Sequence, residues 1–126
     1  MLLLILFVLF FIVIQNRPVK ISADELIKSY SSNYIEADKK FLRKELEISG
    51  KVKSFLQLVS DSMLVLQSSI QNIKLYCKLN DEETIKIAES LTLGTTVSIT
   101  GKCLGIKPEL SDASSNIIYI EAKIIK

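Results

Sequence analysis

The phrase "LEISGKVKSF" at residues 46–55 returns as "VSITGKCLGI" at 97–106. Each copy alternates apolar and polar residues, then sets a small hydroxyl residue before Gly-Lys: Ser49-Gly50-Lys51 in one, Thr100-Gly101-Lys102 in the other. Period-two alternation marks a strand with one buried face. A glycine inside such a strand weakens it, and is retained where the chain bends sharply or another backbone comes close. Two strands written this way in a chain of 126 residues ask for a sheet that bends, with both strands at the bend.

From Phe41 onward the pattern is mainly of strands. In the first, Leu46, Ile48 and Val52 face one way and Glu47, Lys51 and Lys53 the other. The second, "SMLVLQ" (62–67), is too apolar for its faces to be assigned. The third, "IKLYCKL" (73–79), puts Ile73, Leu75, Cys77 and Leu79 inward and Lys74, Tyr76 and Lys78 outward. A helix then opens at Asp81 as N-cap, with acids in its first turn, a stripe of Ile85, Ala88 and Leu91, and Gly94 as stop. "TTVSITGKCLGI" (95–106) is a fourth strand and "NIIYIEAKII" (116–125) a fifth, joined by a polar loop over 107–115. The order β-β-β-α-β-β is that of the five-stranded Greek-key barrel called the OB-fold. There the first strand is long, bends, and pairs with the fourth to close the barrel. The two Gly-Lys phrases are assigned to those two strands. Duplication is the other explanation, but the repeat spans only about ten residues and no flanking helix repeats with it.

Upstream, Ser22-Ala23-Asp24-Glu25 is a capping box. The amphipathic helix it opens carries Leu26, Ile27, Tyr30, Tyr34 and Ala37 on one face, over about four turns. Both tyrosines are read as packing residues. Residues 18–21 read as a linker. Before them, Met1–Ile14 is uninterrupted apolar sequence. A cleaved signal, a buried helix and a membrane anchor compete. The run lacks a basic start and a small-x-small cleavage site, and it is shorter than the usual span of about 20 residues; the anchor is the preferred reading. The expected organisation is an anchor at 1–17, a linker at 18–21 and a helix-plus-barrel domain at 22–126. Arg17 and Lys20 after the run would place the domain in the cytoplasm by the positive-inside rule, on a small charge bias.

Beyond the element order, "SADELIKSYSSNYIEADKKF", "LEISGKVKSF", "IKLYCKL", "LTLGTTVSITGKCLGI" and "IIYIEAKII" together resemble the bacterial tRNA_anti-like family of OB-fold proteins. Its most specific pieces are the helix with Asn33 and Asp38 and the stretch Leu91–Gly105. The resemblance implies a small envelope protein with an N-terminal signal or anchor and no settled biochemical activity. It also implies an extracytoplasmic domain, which outweighs the charge bias. Many members carry a second cysteine near the position of Ala122; this chain lacks it.

Chemistry is sparse. Histidine is absent, removing the commonest general base and transition-metal ligand. Cys77 and Cys103 are too few for a structural zinc site and are read as core residues. In the OB order the fifth strand separates their strands, so no disulfide is expected. Asp81, Glu82 and Glu83 suit a helix N-terminus, and for Glu109 and Asp112 in the polar loop, ligand contact competes with a solubilising role, the preferred reading. Phosphate-cradling glycine motifs are missing. The net charge of +2 is far from that of a nucleic-acid-coating protein.

The expected function is therefore a non-enzymatic, membrane-anchored binding module of the envelope. It needs no cofactor or metal, and its partner is an unknown protein, peptide or glycan. The alternative is single-stranded nucleic acid or tRNA binding on the outer face of the third strand. Lys74, Tyr76 and Lys78, with Lys51 and Lys53, would then supply stacking and positive charge.

Overall fold

The computed structural model describes Ile5 and residues 17–126. The membrane anchor expected at 1–17, with its hydrophobic helix, therefore falls outside the described residues, Ile5 and Arg17 excepted. The elements are β1 (Val19–Ser22), α1 (Ala23–Ser32), α2 (Tyr34–Phe41), β2 (Glu45–Gln57), β3 (Ser62–Leu66), β4 (Ile73–Leu79), α3 (Glu82–Ser90), β5 (Thr96–Pro108) and β6 (Asn116–Ile125).

Strands β2 to β6 form a five-stranded closed barrel with neighbour order β2-β3-β4-β6-β5, and β5 returns to β2. All pairs in the barrel are antiparallel except β4 with β6. The alternation read from sequence sets its inside. Leu64, Cys77, Ile120 and Cys103 lie in one row across four strands, all fully buried. Leu66, Leu75 and Ile118 form the next row. β3 resisted a face assignment because both its faces are covered. Leu64 and Leu66 point inward, while Met63 and Val65, opposite Lys78 and Tyr76, are buried on the outer side.

The repeated phrase is the closure. Glu45 pairs with Lys102 and the register runs on to Lys51 with Thr96. A bulge between Val52 and Ser54 then turns β2 from β5 onto β3. Both glycines stand at close approaches. A Cβ at Gly50 would lie 2.9 Å from the Ala23 Cβ, and one at Gly101 would collide with the Glu121 carbonyl oxygen.

Two sequence expectations are corrected. Residues 19–21 of the expected linker, together with Ser22, form β1, which pairs in parallel with Leu46–Ser49 and covers the edge of β2 that β3 leaves free. The single upstream helix is two helices. Asn33 adopts an extended backbone, closes α1, and caps α2 by accepting from the Glu36 N–H at 3.2 Å. That break resets the helical phase, so α2 buries Ala37 and Phe41, and Tyr34, expected on the packed face, is exposed. Ser22 caps α1 as expected, accepting from Glu25 N–H. Asp81 caps α3 by position only, without a side-chain bond.

Candidate ligand-binding face

The outward residues of β4 are set by its pleat: Leu75 and Cys77 point into the core, so Lys74, Tyr76 and Lys78 point out and are half-buried. Register carries the face sideways. Tyr76 pairs with Val65 on β3 and Tyr119 on β6. The two rings meet edge to face, centroids 6.1 Å apart, a favoured aromatic geometry. Lys107 of β5 places its ammonium 5.9 Å from the Tyr119 centroid, within cation–π range.

Two loops border this patch, and each is tied to one of the β4 lysines. At one end Lys74 Nζ donates to both carboxylate oxygens of Glu109, at 2.9 and 3.0 Å. The Glu109 side chain is only 12% exposed. This hydrogen bond holds the Lys74 ammonium charged above its ordinary range. At the other end Lys78 Nζ stands 3.5 Å from Asp61 Oδ1. Asp61 closes the turn between β2 and β3, its carbonyl accepting from Leu58 N–H. The β5–β6 loop is braced from within. Asp112 accepts from Ser114 N–H and from the hydroxyls of Ser114 and Ser115. Those bonds hold its carboxyl below the usual range.

Of the other expected site residues, Lys53 lines a cavity of about 110 Å³ together with Lys74, Val65 and Ile70. Lys51 opens instead onto a separate polar cleft at the start of α1, with Ser22, Ser49 and Gln67. The face thus gathers Lys53, Lys74, Tyr76 and Lys78 and leaves Lys51 out. Glu109, read as a solubilising loop acid, is a largely buried partner of Lys74. Sequence reasoning missed Lys107 and Asp61 as members of the face. The position of Lys107 follows from register shifts between Thr100 and Gly101 and between Cys103 and Gly105, which no alternation pattern encodes.

A second polar cluster lies under the two helices. Tyr30 Oη donates to Asp38 Oδ1 at 2.8 Å and contacts Cys103 Sγ at 3.5 Å. Burial pushes the Tyr30 phenol far up and the Cys103 thiol up, and burial alone pushes Cys77 to about 12. Both cysteines are free and buried. Neither presents a thiolate at neutral pH, so the cluster ties helices to barrel and offers no nucleophile. Among the described residues no group of three or more His, Cys, Asp or Glu side chains could hold a metal. Among them, too, no helix is long and apolar enough to cross a membrane.

Solved structures of other proteins share this barrel. A "putative aspartyl-tRNA synthetase" from Leishmania major Friedlin superposes with TM-score 0.58 at 16% identity, over 86% of this chain. The chain spans 20% of that synthetase. A "putative nucleic acid-binding lipoprotein" from Klebsiella pneumoniae subsp. pneumoniae MGH 78578 gives TM-score 0.58 at 11% identity, covering 85% of this chain and 92% of that one. An OBody, solved bound to hen egg-white lysozyme, gives TM-score 0.50 at 13% identity over 69% of this chain and 78% of its own. The described residues form an OB-fold-like barrel with three helices. The tRNA_anti-like family model matches residues 1–113, and the chain belongs to that family. No curated protein matches it.

Proposed function

We propose that this chain is a non-enzymatic binding module of the bacterial cell envelope, held at the membrane by Met1–Ile14 with its domain extracytoplasmic, and that its ligand lies across the Tyr76–Tyr119 face. One observation carries the reading: an aromatic pair at the centre of a barrel face, bordered by two loops that Glu109 and Asp61 hold in place. OB-fold barrels take ligands on the face of their second and third strands, here β3 and β4 with Tyr76, and on the two loops that here carry Asp61 and Glu109. Paired tyrosines suit the flat faces of a glycan ring or the apolar side chains of a peptide. With Lys74 and Lys78 already neutralised, the face pulls weakly on phosphates.

The second reading is a single-stranded nucleic acid or tRNA as ligand. It is favoured by Lys53 and Lys107, which make no ion pair among the described residues, beside two stackable rings. The name of the Klebsiella neighbour points the same way.

The test is titration of the full chain in nanodiscs with labelled single-stranded RNA and DNA, at low and moderate salt. Binding that weakens steeply with salt and is lost in the Lys74→Ala, Tyr76→Ala double variant would put the nucleic acid first. No binding at low salt would leave the envelope module. Protease accessibility on intact cells checks the location: a wholly protected domain would overturn the extracytoplasmic placement.

A further inference from the structure

We infer that Glu109 and Asp61 are internal counter-anions that exclude polyanions from the barrel face by occupying the positions a phosphate would take on Lys74 and Lys78. Three observations carry this. The two lysines flank the central tyrosine at opposite ends of β4, and each meets a carboxylate from a different loop. The Lys74–Glu109 contact is bidentate and largely shielded, with Glu109 12% and Lys74 32% exposed. Finally, the loop that delivers Glu109 is preorganised: its own N–H donates to Ser115 O at 2.9 Å, and Asp112 knits the residues between. A carboxylate held this way presents its oxygens to the ammonium as a phosphodiester would, at no entropic cost on arrival of a ligand. A polyanion must displace it or bind through Lys53 and Lys107 alone. The face then selects against nucleic acid and for ligands recognised by ring stacking, a negative element as much as an attractive one.

This rests on the reading of the Tyr76–Tyr119 face as the ligand surface. The test uses the full chain in nanodiscs, a labelled single-stranded RNA oligonucleotide, and the isosteric variants Glu109→Gln and Asp61→Asn, with thermal melting of each to verify folding. Glu109→Gln is expected to bind the RNA on the order of tenfold more tightly than wild type at low salt. Its salt dependence should steepen by about 0.7 in log–log slope, as one more phosphate is neutralised by the freed Lys74. Asp61→Asn should give a smaller increase, because its pair is longer and more exposed. Adding Lys74→Gln to Glu109→Gln should cancel the increase. Unchanged affinity in both carboxylate variants, whether strong or nil, overturns the inference. The face reading fails separately. If the tighter binding of Glu109→Gln persists after Tyr76→Ala, the counter-anion role stands and the stacking surface falls. If Glu109→Gln binds no more tightly while Tyr76→Ala weakens wild-type binding, the reverse holds.

Discussion

The two copies of the Gly-Lys phrase occupy neighbouring strands of one seam yet meet different neighbours. Gly50 faces side chains, the Ala23 Cβ at 2.9 Å and a Leu66 methyl at 3.2 Å. Gly101 faces backbone: the Glu121 carbonyl oxygen, and Ala122 Cα at 2.9 Å. Two residues further on, each copy buries a core residue, Val52 in one and Cys103 in the other. Val52 packs as a hydrocarbon, whereas Cys103 also touches a tyrosine–aspartate pair from the helices. Similar strings of residues thus give a contact with helix and strand side chains in one copy and with a paired strand's backbone in the other. The neighbour decides how much a change costs.

The largest effect should come from Gly101→Ala. At Gly50 the Leu66 methyl can rotate and Ala23 can shift with the first turn of α1, but at Gly101 a paired strand cannot retreat without breaking its ladder. The loss should exceed about 3 kcal/mol, beyond the usual overpacking cost, and show in urea denaturation as a missing or non-cooperative transition. Gly50→Ala should cost less, about 1–3 kcal/mol, and Ala23→Gly should recover part of it in a double-mutant cycle. Equal losses at the two glycines, or no coupling to Ala23, would break the comparison.

The polar tie on the second copy gives a prediction of intermediate size. Tyr30→Phe removes the donor to Asp38 and should cost about 1–2 kcal/mol. Val52→Ile, at the matching site of the first copy, tests packing without a polar partner. The buried thiols add a pH signature. An unfolded Cys77 ionises near 9.0 and the folded one near 12, so between those values only the unfolded chain releases the proton. The contribution of Cys77 to stability is therefore intact below pH 9.0 and is lost as pH rises toward about 12. Cys103 and Tyr30, also shifted upward, act in the same direction. The urea midpoint should drop across this range, with a shallower slope in Cys77→Val.

Smallest of all is the loop effect. Asp112, held below its ordinary value by its Ser114 and Ser115 bonds, supports the β5–β6 loop above pH 3.8 and loses that role only as pH falls through its lower folded value. Hydrogen exchange at Ser114 N–H should stay slow into that acidic range in wild type and quicken at all pH values in Asp112→Asn. No change would mean that the Lys74–Glu109 pair alone holds the loop.

Much of this architecture was legible from residues alone. The alternation of β4, the inward cysteines, the Ser22 cap and the closure of β2 on β5 were all expected, and the family resemblance was matched over residues 1–113. Less legible were the phase of the helical region and the company kept by the lysines. Asn33, which carries part of the family resemblance, reads as a residue inside one continuous helix until its backbone is seen extended and its side chain capping the next helix. Lys74 and Lys78 read as free cations until Glu109 and Asp61, each from a loop distant in the chain, are seen against them.

The division has a physical cause. Which way a strand residue points follows from the two-residue repeat of extended backbone, a local covalent property, and the burial of alternate residues follows from hydrophobicity. Sequence by itself therefore determined the order of the five barrel strands, the inward residues of β4 and the candidate face. The ion pairs, the Tyr76–Tyr119 contact and the placement of Lys107 depend on bulges that shift register and on loops that return from elsewhere in the chain. Only the tertiary structure decided those, and with them how much charge the face leaves for a ligand.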